Sequence, residues 1–340
     1  MTPRSAGYRM PPEWAPHRRT LVSWPVKASM CHPETHDRVQ AGYAEFIRAI
    51  AEFEPVTVLV NAGDAASAQV LCGHDRIEYL EVPHNDSWLR DNGPTFVTDA
   101  DGRLAGINWR FNAWGGKYSP WDLDDAVAPA VLAHLGVRRF DAPLVMEGGS
   151  LHADGEGTLL TTEECLLNPN RNPAMEREAI EAHLAAHLGI DRVIWLGKGL
   201  DGDETDGHVD NIACFAAPGK VILQTCSEPS DPNHAISQAA LAVLRAARDA
   251  KGRSIEVIEV PQPPMRCLDG TRLTLSYLNF YFVNGGIILP VFGGDAAETD
   301  REAMRILSEA FPERRIRPID GMGIVTEGGN VHCATQQVPE

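Results

Sequence analysis

The sequence lacks any long hydrophobic run, and it has far fewer basic than acidic residues. No apolar stretch approaches the roughly 20 residues that a membrane span needs, and the first 17 residues contain no apolar core of the secretory type. These absences predict a cytoplasmic globular protein with no membrane partner. The 47 acidic and 30 basic residues give a net charge of −17, which disfavours nucleic acid and favours the approach of cationic ligands. An acidic surface also has a simpler explanation, since it keeps a protein soluble.

Several common functional motifs are missing as well. The seven cysteines include no CxxC pair, so a zinc ribbon or a redox motif is not expected, and without a secretory signal the thiols should be reduced. No Gly-Lys pair is followed by Ser or Thr, and no G-x-S-x-G stretch occurs. Most cysteines have apolar neighbours and are predicted to be core residues. Cys333 differs, because it follows histidine and precedes Ala-Thr-Gln-Gln.

A repeated pattern of helices and strands runs along the chain. Amphipathic periodicity predicts helices over 35–53, 122–135, 174–188, 233–247 and 298–310. Each is followed by a β-branched run that predicts a strand, at 55–60, 137–142, 191–196, 254–260 and 314–319. Two-strand segments with a Gly, Asp or Asn turn precede most of the helices. The unit is therefore strand, turn, strand, helix, strand, and about five copies fill one domain over 1–340. An ordinary doubly wound α/β sheet is the alternative.

Polar segments stand at the heads of four units, and two of them share a phrase. The segments are 84–94, 146–150, 202–211 and 327–337, and the phrase Glu-Gly-Gly, polar, aliphatic, His occurs at both 147–152 and 327–332. In a closed ring of units these heads would converge on the axis. The residues brought together would be Asp91, Glu147, His208, Asp210 and Cys333, with Trp88 beside them.

The chemistry of this set suggests a site for a guanidinium group. A cysteine thiolate is a nucleophile, a histidine can transfer protons, and a carboxylate such as Glu147 can orient that histidine. Two further carboxylates, Asp91 and Asp210, suit the five donors of a guanidinium fork. Each residue also has a structural reading. Asp91 could pair with Arg90, Glu147 could bind backbone N–H groups at a turn, His208 and Asp210 could share one face of a strand, and Cys333 could be a buried thiol.

The motifs that carry these residues resemble those of the agmatine deiminases, in the guanidine-modifying superfamily that includes the peptidylarginine deiminases. The matching stretches run in order from residue 10 to residue 338, among them NDSWLRDNGPTF, EGGSLHADGEGTLLTTEECLLNPNRNP, GHVDNIACF and GGNVHCATQQ. The resemblance implies a five-bladed, pseudo-symmetric α/β propeller of ββαβ repeats, the pentein fold. It also implies hydrolysis of agmatine to N-carbamoylputrescine and ammonia, with no metal and no organic cofactor.

Residue roles follow from the same resemblance. Cys333 would form a covalent amidino-cysteine intermediate, and His208, oriented by Glu147, would protonate ammonia and activate water. Asp91 and Asp210 would grip the guanidinium, with Trp88 as a cation–π wall. Two features depart from the family pattern, namely Glu327 in place of a glycine and a short connection over 261–277.

This interpretation has three alternatives. The chain could deiminate a different small guanidino compound, or it could be an amidinotransferase of the same fold that passes the amidino group to an amine. A catalytically inert binding protein is the third alternative. The sequence leaves assembly into a homo-oligomer open.

Overall fold

The computed structural model describes all 340 residues as short strands and helices in regular alternation. The strands are β1 (His17–Ser23), β2 (Val56–Val60), β3 (Ile77–Glu81), β4 (Thr95–Thr98), β5 (Leu104–Arg110), β6 (Arg138–Val145), β7 (His152–Ala153), β8 (Thr158–Thr162), β9 (Arg192–Leu196), β10 (Ala213–Ala217), β11 (Lys220–Thr225), β12 (Glu256–Pro261), β13 (Cys267–Leu268), β14 (Thr271–Arg272), β15 (Tyr281–Val283), β16 (Gly286–Val291), β17 (Arg315–Asp320) and β18 (Thr335–Pro339). The helices, several of them single turns, are α1 (His36–Ala51), α2 (Ala65–Cys72), α3 (Leu89–Asn92), α4 (Ala113–Gly116), α5 (Asp122–Asp125), α6 (Val127–Leu135), α7 (Glu163–Leu166), α8 (Arg177–Leu188), α9 (Pro232–Ala246), α10 (Ala297–Ala310) and α11 (Val331–Ala334). None of the helices has the length and apolarity that a membrane span requires.

Five small sheets share one topology. In each, two antiparallel strands are followed by a helix and then by a strand parallel to the second, as in β4-β5-β6, β7-β8-β9, β10-β11-β12 and β15-β16-β17. The remaining sheet, which is the first along the chain, has the order β18-β1-β2 and is extended by β3. The predicted α/β repeat of ββαβ units is therefore confirmed, and a single doubly wound sheet is not present.

The five units close into a ring. The helix of each unit packs on the last strand of the preceding one, with α8 on β6, α9 on β9, α10 on β12 and α1 on β17. Between the first two units, Val131 and Leu132 of α6 share an apolar cluster with Leu59 of β2. Strand β18 completes the first sheet by pairing antiparallel with β1, so the two ends of the repeat array meet in one sheet.

Local sequence signals explain where the long helices begin and end. At the start of α9 the Asp231 side chain accepts the N–H of Asn233, and Pro232 occupies the first helical position, where a missing N–H costs nothing. Gly189 ends α8 with a left-handed φ of 72°. Four of the five predicted helices are confirmed, with ends that differ by up to three residues.

The helix predicted over 122–135 is wrong in one respect, because the chain forms two helices there. Helix α5 ends at Asp125, and α6 begins at Val127. Pro129 lies three positions into α6, and its ring would clash with the carbonyl of residue 125 in a continuous helix. Restarting the helix places the proline in a first turn, where it is tolerated.

Candidate active site

Each unit presents the segment that precedes its first strand to a common point. Asp91 lies in α3 before β4, Glu147 lies at the 3-10 turn Gly148–Ser150 before β7, and Cys333 lies in α11 before β18. His208 and Asp210 lie at the 3-10 turn Val209–Asn211 before β10. The structure thus brings together all five polar residues that the sequence singled out.

Gly149 marks the centre of this convergence. A Cβ atom built on Gly149 would lie 2.6 Å from His208 Nδ1 and 2.9 Å from both Asp210 Oδ2 and Asp91 Oδ1. Because glycine has no side chain, three functional groups from two other units can approach one another here.

The placement of His208 and Asp210 on one face of a strand is wrong. His208 caps the 3-10 turn that contains Asp210, and the strand β10 begins only at Ala213. Both side chains reach the site from this turn and not from the strand that follows it.

Cys333 is a buried thiol held between an amide and a carboxylate. Its Sγ accepts a hydrogen bond from Asn279 Nδ2 at 3.1 Å and donates one to Asp210 Oδ2 at 3.5 Å. Burial, together with the charges of Asp210 and Asp91, raises the pKa of this thiol well above its ordinary value. Cys333 therefore carries its proton, and an additional positive charge beside it would favour the thiolate.

His208 is fully buried and lies between two carboxylates. Its Nε2 is 3.6 Å from Glu147 Oε2, and its Nδ1 is 3.8 Å from Asp91 Oδ2. Burial alone would lower the pKa of His208, but the charge of Asp91 and the nearby Cys165 and Glu147 side chains raise it well above the usual value. His208 is therefore protonated near neutral pH, as a general acid requires.

The three carboxylates differ in how they are stabilised. Arg171 Nε donates to Glu147 Oε1 at 2.8 Å, and the pKa of Glu147, which burial would raise, is lowered by His208 and Arg171. Asp91 accepts hydrogen bonds from Trp114 Nε1 and from the backbone N–H of Gly149, each at 2.9 Å. Burial nevertheless raises the pKa of Asp91, helped by the charges of Asp210 and Glu147.

Asp210 depends on a different residue. His332 Nδ1 lies 2.9 Å from Asp210 Oδ2. Burial would raise the pKa of Asp210, but His332 lowers it below the ordinary value. The site thus holds an ionised carboxylate opposite Asp91.

A cavity leads down to Cys333 and Asp91. Trp88, Trp114, Tyr43 and Tyr118 supply aromatic surface in its wall. Asp86, Glu204 and Glu327 supply carboxylates. Burial raises the pKa of Asp86 to about 7 and also raises that of Glu327. A ligand that enters this cavity meets aromatic faces and several carboxylates.

One group of donors could in principle hold a metal ion. The ligand atoms of Glu147, Cys165 and His208 all lie within 4.8 Å of one another, and all three residues are buried. Glu147 and His208 also belong to the cluster around Gly149 and Cys333 described above. The expectation that the reaction needs no metal and no organic cofactor stays a prediction.

Sequence reasoning missed several residues of the site. The most informative is Asn279, which precedes β15 and is the contribution of the fifth unit. Besides contacting the Cys333 sulfur, it donates to Asn211 Oδ1 at 3.0 Å. Its position before the first strand of a unit was a signal that could have found it, because four other units place polar residues there. Arg171 and Trp114 act through contacts with Glu147 and Asp91 of their own units and carry no comparable signal. His332 stands in the doubled phrase, but the phrase alone gives it no role.

Comparisons with known proteins place these features in a family. The model of the Porphyromonas-type peptidyl-arginine deiminases matches residues 9–339. The agmatine deiminases of Stutzerimonas stutzeri and Ectopseudomonas mendocina are 48% and 45% identical to the chain, and each alignment covers 99% of this chain and 97% of the relative. A solved structure described as the agmatine deiminase of Enterococcus faecalis catalysing its reaction superposes with a TM-score of 0.92 at 35% identity, covering 100% of this chain and 98% of that one.

Proposed function

Because the chain belongs to the Porphyromonas-type peptidyl-arginine deiminase family, we propose that it hydrolyses agmatine to N-carbamoylputrescine and ammonia. It is an enzyme that hydrolyses C–N bonds of linear amidines. Its relatives with 45–48% identity over the full chain are named agmatine deiminases, and these belong to that class of hydrolase. We propose a single catalytic domain over 1–340 that acts in the cytoplasm. Assembly into a homo-oligomer stays open.

One observation carries this function, namely the meeting of an imidazole and two carboxylates around Gly149, with the Cys333 thiol in contact with one of the carboxylates, Asp210. A guanidinium is a planar cation with donors on every edge, and paired carboxylates bind it through several charge-assisted hydrogen bonds. With Asp91 and Asp210 holding its nitrogens, the central carbon would face Cys333. The same cation would supply the positive charge that lowers the pKa of the Cys333 thiol.

We propose that the reaction then proceeds in two halves. After the thiol proton is lost to solvent, the Cys333 thiolate attacks the guanidinium carbon, and a C–S bond forms. The His208 imidazolium gives its Nδ1 proton to one nitrogen, the C–N bond breaks, and ammonia leaves an amidino-cysteine cation. Neutral His208 next takes a proton from water as the water oxygen attacks that carbon. The C–S bond breaks as the hydroxyl proton passes to the departing Cys333 sulfur, which restores the thiol, and the ureido product forms with its carbonyl.

Glu147 and Trp88 support these steps without bonding to the reacting carbon. Glu147, itself fixed by Arg171, keeps the His208 ring oriented through Nε2 and stabilises its cationic form. Trp88 is 8% exposed and lines the cavity, so its indole face can lie against the bound cation.

The carboxylates of the cavity favour agmatine over arginine. Agmatine carries a second cation, its terminal ammonium, four carbons from the guanidinium. Asp86, Glu204 and Glu327 would attract this ammonium and repel the α-carboxylate of arginine. The choice between agmatine and another small guanidino compound therefore depends on the part of the cavity that these three carboxylates line.

A ureido colour assay with a matched set of guanidines tests the proposal. We expect agmatine to give stoichiometric ureido product and ammonia, with arginine, peptidyl-arginine and guanidinobutyrate turned over far more slowly. Transfer of a labelled amidino group to an added amine would instead identify an amidinotransferase.

Variants assign the chemistry to the site. Cys333→Ala and His208→Ala should each abolish turnover, because the nucleophile or the proton donor is lost. Cys72→Ala is the matched control, since Cys72 is a fully buried cysteine in α2, outside the site. Near-normal activity in either site variant would overturn the mechanism, whereas an inactive wild type would overturn the function itself.

A further inference from the structure

The histidines that end the two copies of the Glu-Gly-Gly phrase meet at one buried carboxylate, Glu13. His332 Nε2 lies 3.0 Å from each oxygen of Glu13, and His152 Nε2 lies 3.6 Å from Glu13 Oε2. Arg90 Nη1 lies 3.4 Å from Glu13 Oε1. Glu13 is 2% exposed, stands before β1 and is not among the residues that line the cavity. This cluster therefore lies behind the reacting groups.

The two histidines differ in what their second nitrogen contacts. His152 Nδ1 accepts the backbone N–H of Phe215 at 3.2 Å, which places its proton on Nε2, toward Glu13. His332 Nδ1 instead faces Asp210 Oδ2, so both of its nitrogens face carboxylates. An ionised carboxylate only accepts hydrogen bonds, and His332 satisfies both partners when each of its nitrogens carries a proton. The geometry thus requires His332 to be an imidazolium.

The charges of the buried series of side chains Asp210, His332, Glu13 and Arg90 balance. Asp210 and Glu13 contribute two negative charges, and His332 and Arg90 contribute two positive ones. His332 is the only cationic side chain in an ion pair with Asp210. Removing one partner of a buried pair leaves an uncompensated charge, which strongly disfavours the ionised form of the other. Asp210 therefore stays ionised because His332 does, and His332 because Glu13 does.

We propose that Glu13 and His332 are positioning residues of the guanidinium site: the chain Glu13–His332–Asp210 holds Asp210 ionised and turned toward the substrate. A carboxylate that is already oriented binds a guanidinium without the cost of reorganising. This inference rests on the proposed function, because it assigns Asp210 to substrate binding. His152 completes the hydrogen bonding of Glu13 but does not touch Asp210.

The pH behaviour has a defined set of contributors. Burial and Arg90 lower the pKa of His332, whereas Glu13 and Asp210 raise it above the ordinary value. Burial would raise the pKa of Glu13, but His332, Arg90 and His152 hold it well below its usual range. Two other titratable groups near these side chains, His208 and the Cys333 thiol, help to lower the pKa of Asp210. Burial raises the pKa of Cys214, and the charges of Glu13 and Asp210 raise it further.

Nitrogen NMR of histidine-labelled protein tests the charge state of His332 directly. His332→Asn identifies the His332 resonances by their disappearance. In the wild type we expect both ring nitrogens to remain protonated at pH 8, where an ordinary histidine is neutral. In Glu13→Gln the carboxylate charge is lost while the shape is kept, so His332 should become neutral at that pH. A wild-type His332 that loses its proton near pH 6.5 would overturn the inference, even if Glu13→Gln did not fold.

Steady-state kinetics separate positioning from packing. Losing a hydrogen bond to a charged group should raise KM for agmatine about 10- to 100-fold in Glu13→Gln, with a smaller change in kcat. Glu13→Asp keeps the charge and should recover most of the lost affinity, together with the imidazolium signal.

His152→Gln is the matched control, because His152 is as buried as His332 and also faces Glu13. It should lower the melting temperature but leave KM and the His332 signal unchanged. Equal rises in KM for His152→Gln and Glu13→Gln would show that the cluster acts through packing alone and would overturn the inference. Absence of turnover in the wild type would overturn the proposed function, while the NMR result would stand.

Discussion

At the scale of single residues, the glycines of the doubled phrase leave room for functional side chains. A Cβ on Gly329 would lie 2.7 Å from Trp88 Cζ3 and 2.9 Å from Cys333 Cβ, much as one on Gly149 would meet His208, Asp210 and Asp91. Neither glycine has a positive φ. The requirement for glycine at both positions is therefore one of space rather than of backbone conformation.

Gly149→Ala should greatly lower the catalytic activity without unfolding the protein. The added methyl group must displace His208 or one of the two aspartates, and displacements of about 1 Å at a reacting centre can cost roughly 100-fold in rate. We expect kcat/KM for agmatine to fall by about that factor. Gly197→Ala is the control, since its Cβ would meet nothing within 4 Å and its φ is not positive. Full activity in Gly149→Ala would show that the three groups need not converge.

Asp86 gives a second prediction, about stability and pH. Its pKa of about 7 in the folded protein exceeds the ordinary value for an aspartate in an unfolded chain, so folding takes up a proton. Asp86 therefore destabilises the fold as pH rises through the window from about 4 to about 7, by at most roughly 4 kcal/mol at higher pH. Asp86→Asn should raise the free energy of unfolding at pH 8 and leave it nearly unchanged at pH 4.

Denaturant unfolding at the two pH values measures this difference. The exposed Asp75 supplies the control variant Asp75→Asn, which should change stability little at either pH. A stabilisation by Asp86→Asn that was larger at pH 4 than at pH 8 would contradict the assignment. The same variant should bind agmatine more weakly, because the cavity loses one carboxylate.

At the scale of elements, the connection between β1 and α1 forms part of the cavity wall. Ser29, Met30 and Cys31 line the cavity from this connection. Glu327 Oε2 accepts the backbone N–H of Cys31 at 2.7 Å and ties the connection to the segment that precedes α11. The residue that departs from the family pattern thus fastens one side of the substrate entrance.

Glu327→Gly should release this connection. Without the carboxylate the Cys31 amide loses its hydrogen-bond partner, so its hydrogen exchange should accelerate and KM for agmatine should rise several-fold. Cys31 is exposed, and its thiol should also react faster with a bulky disulfide reagent. Glu298→Gly serves as a control, because Glu298 lies in α10 and is not part of the cavity. An unchanged exchange rate at Cys31 in Glu327→Gly would show that the connection is held by other contacts.

The elements themselves were largely predictable from sequence, whereas the contacts between them were not. Helices such as α1 follow from a 3.6-residue apolar period, and the parallel strands follow from β-branched runs. Asp91, Glu147, His208, Asp210 and Cys333 stood out because strand heads rarely concentrate polar residues. Glu13 did not, because its partners His332 and His152 lie more than 130 residues away along the chain. Pairings across a ring leave no periodic trace in the chain.

At the scale of the whole molecule, the net charge of −17 surrounds a cavity that itself carries carboxylates. The summed field of such a protein attracts cations, and salt screens it, with a Debye length of about 30 Å at 0.01 M and about 8 Å at 0.15 M. Substrate capture should therefore respond to ionic strength more than the chemical step does.

We expect kcat/KM for agmatine to fall several-fold between low and physiological salt, with kcat nearly constant. Butylguanidine, which lacks the ammonium, is the matched substrate. The slope of its kcat/KM against ionic strength should be about half as steep, because it carries one positive charge instead of two. Equal slopes for the two substrates would mean that the ammonium is not drawn in by the field.

The pairing of β1 with β18 has a consequence for how the molecule acquires its activity. Within four of the units the paired strands are near neighbours along the chain, but His17 and Pro339 pair across more than 300 residues. Closing so long a loop carries the largest entropic cost of any pairing in the ring, and non-local strand pairing is slow. We therefore expect this seam to close last during folding. Cys333 stands directly before β18, so this thiol, which we propose as the nucleophile, reaches His208 and the two aspartates only when the seam closes. Completion of the fold and the onset of catalysis then coincide, and partly folded chains do no chemistry.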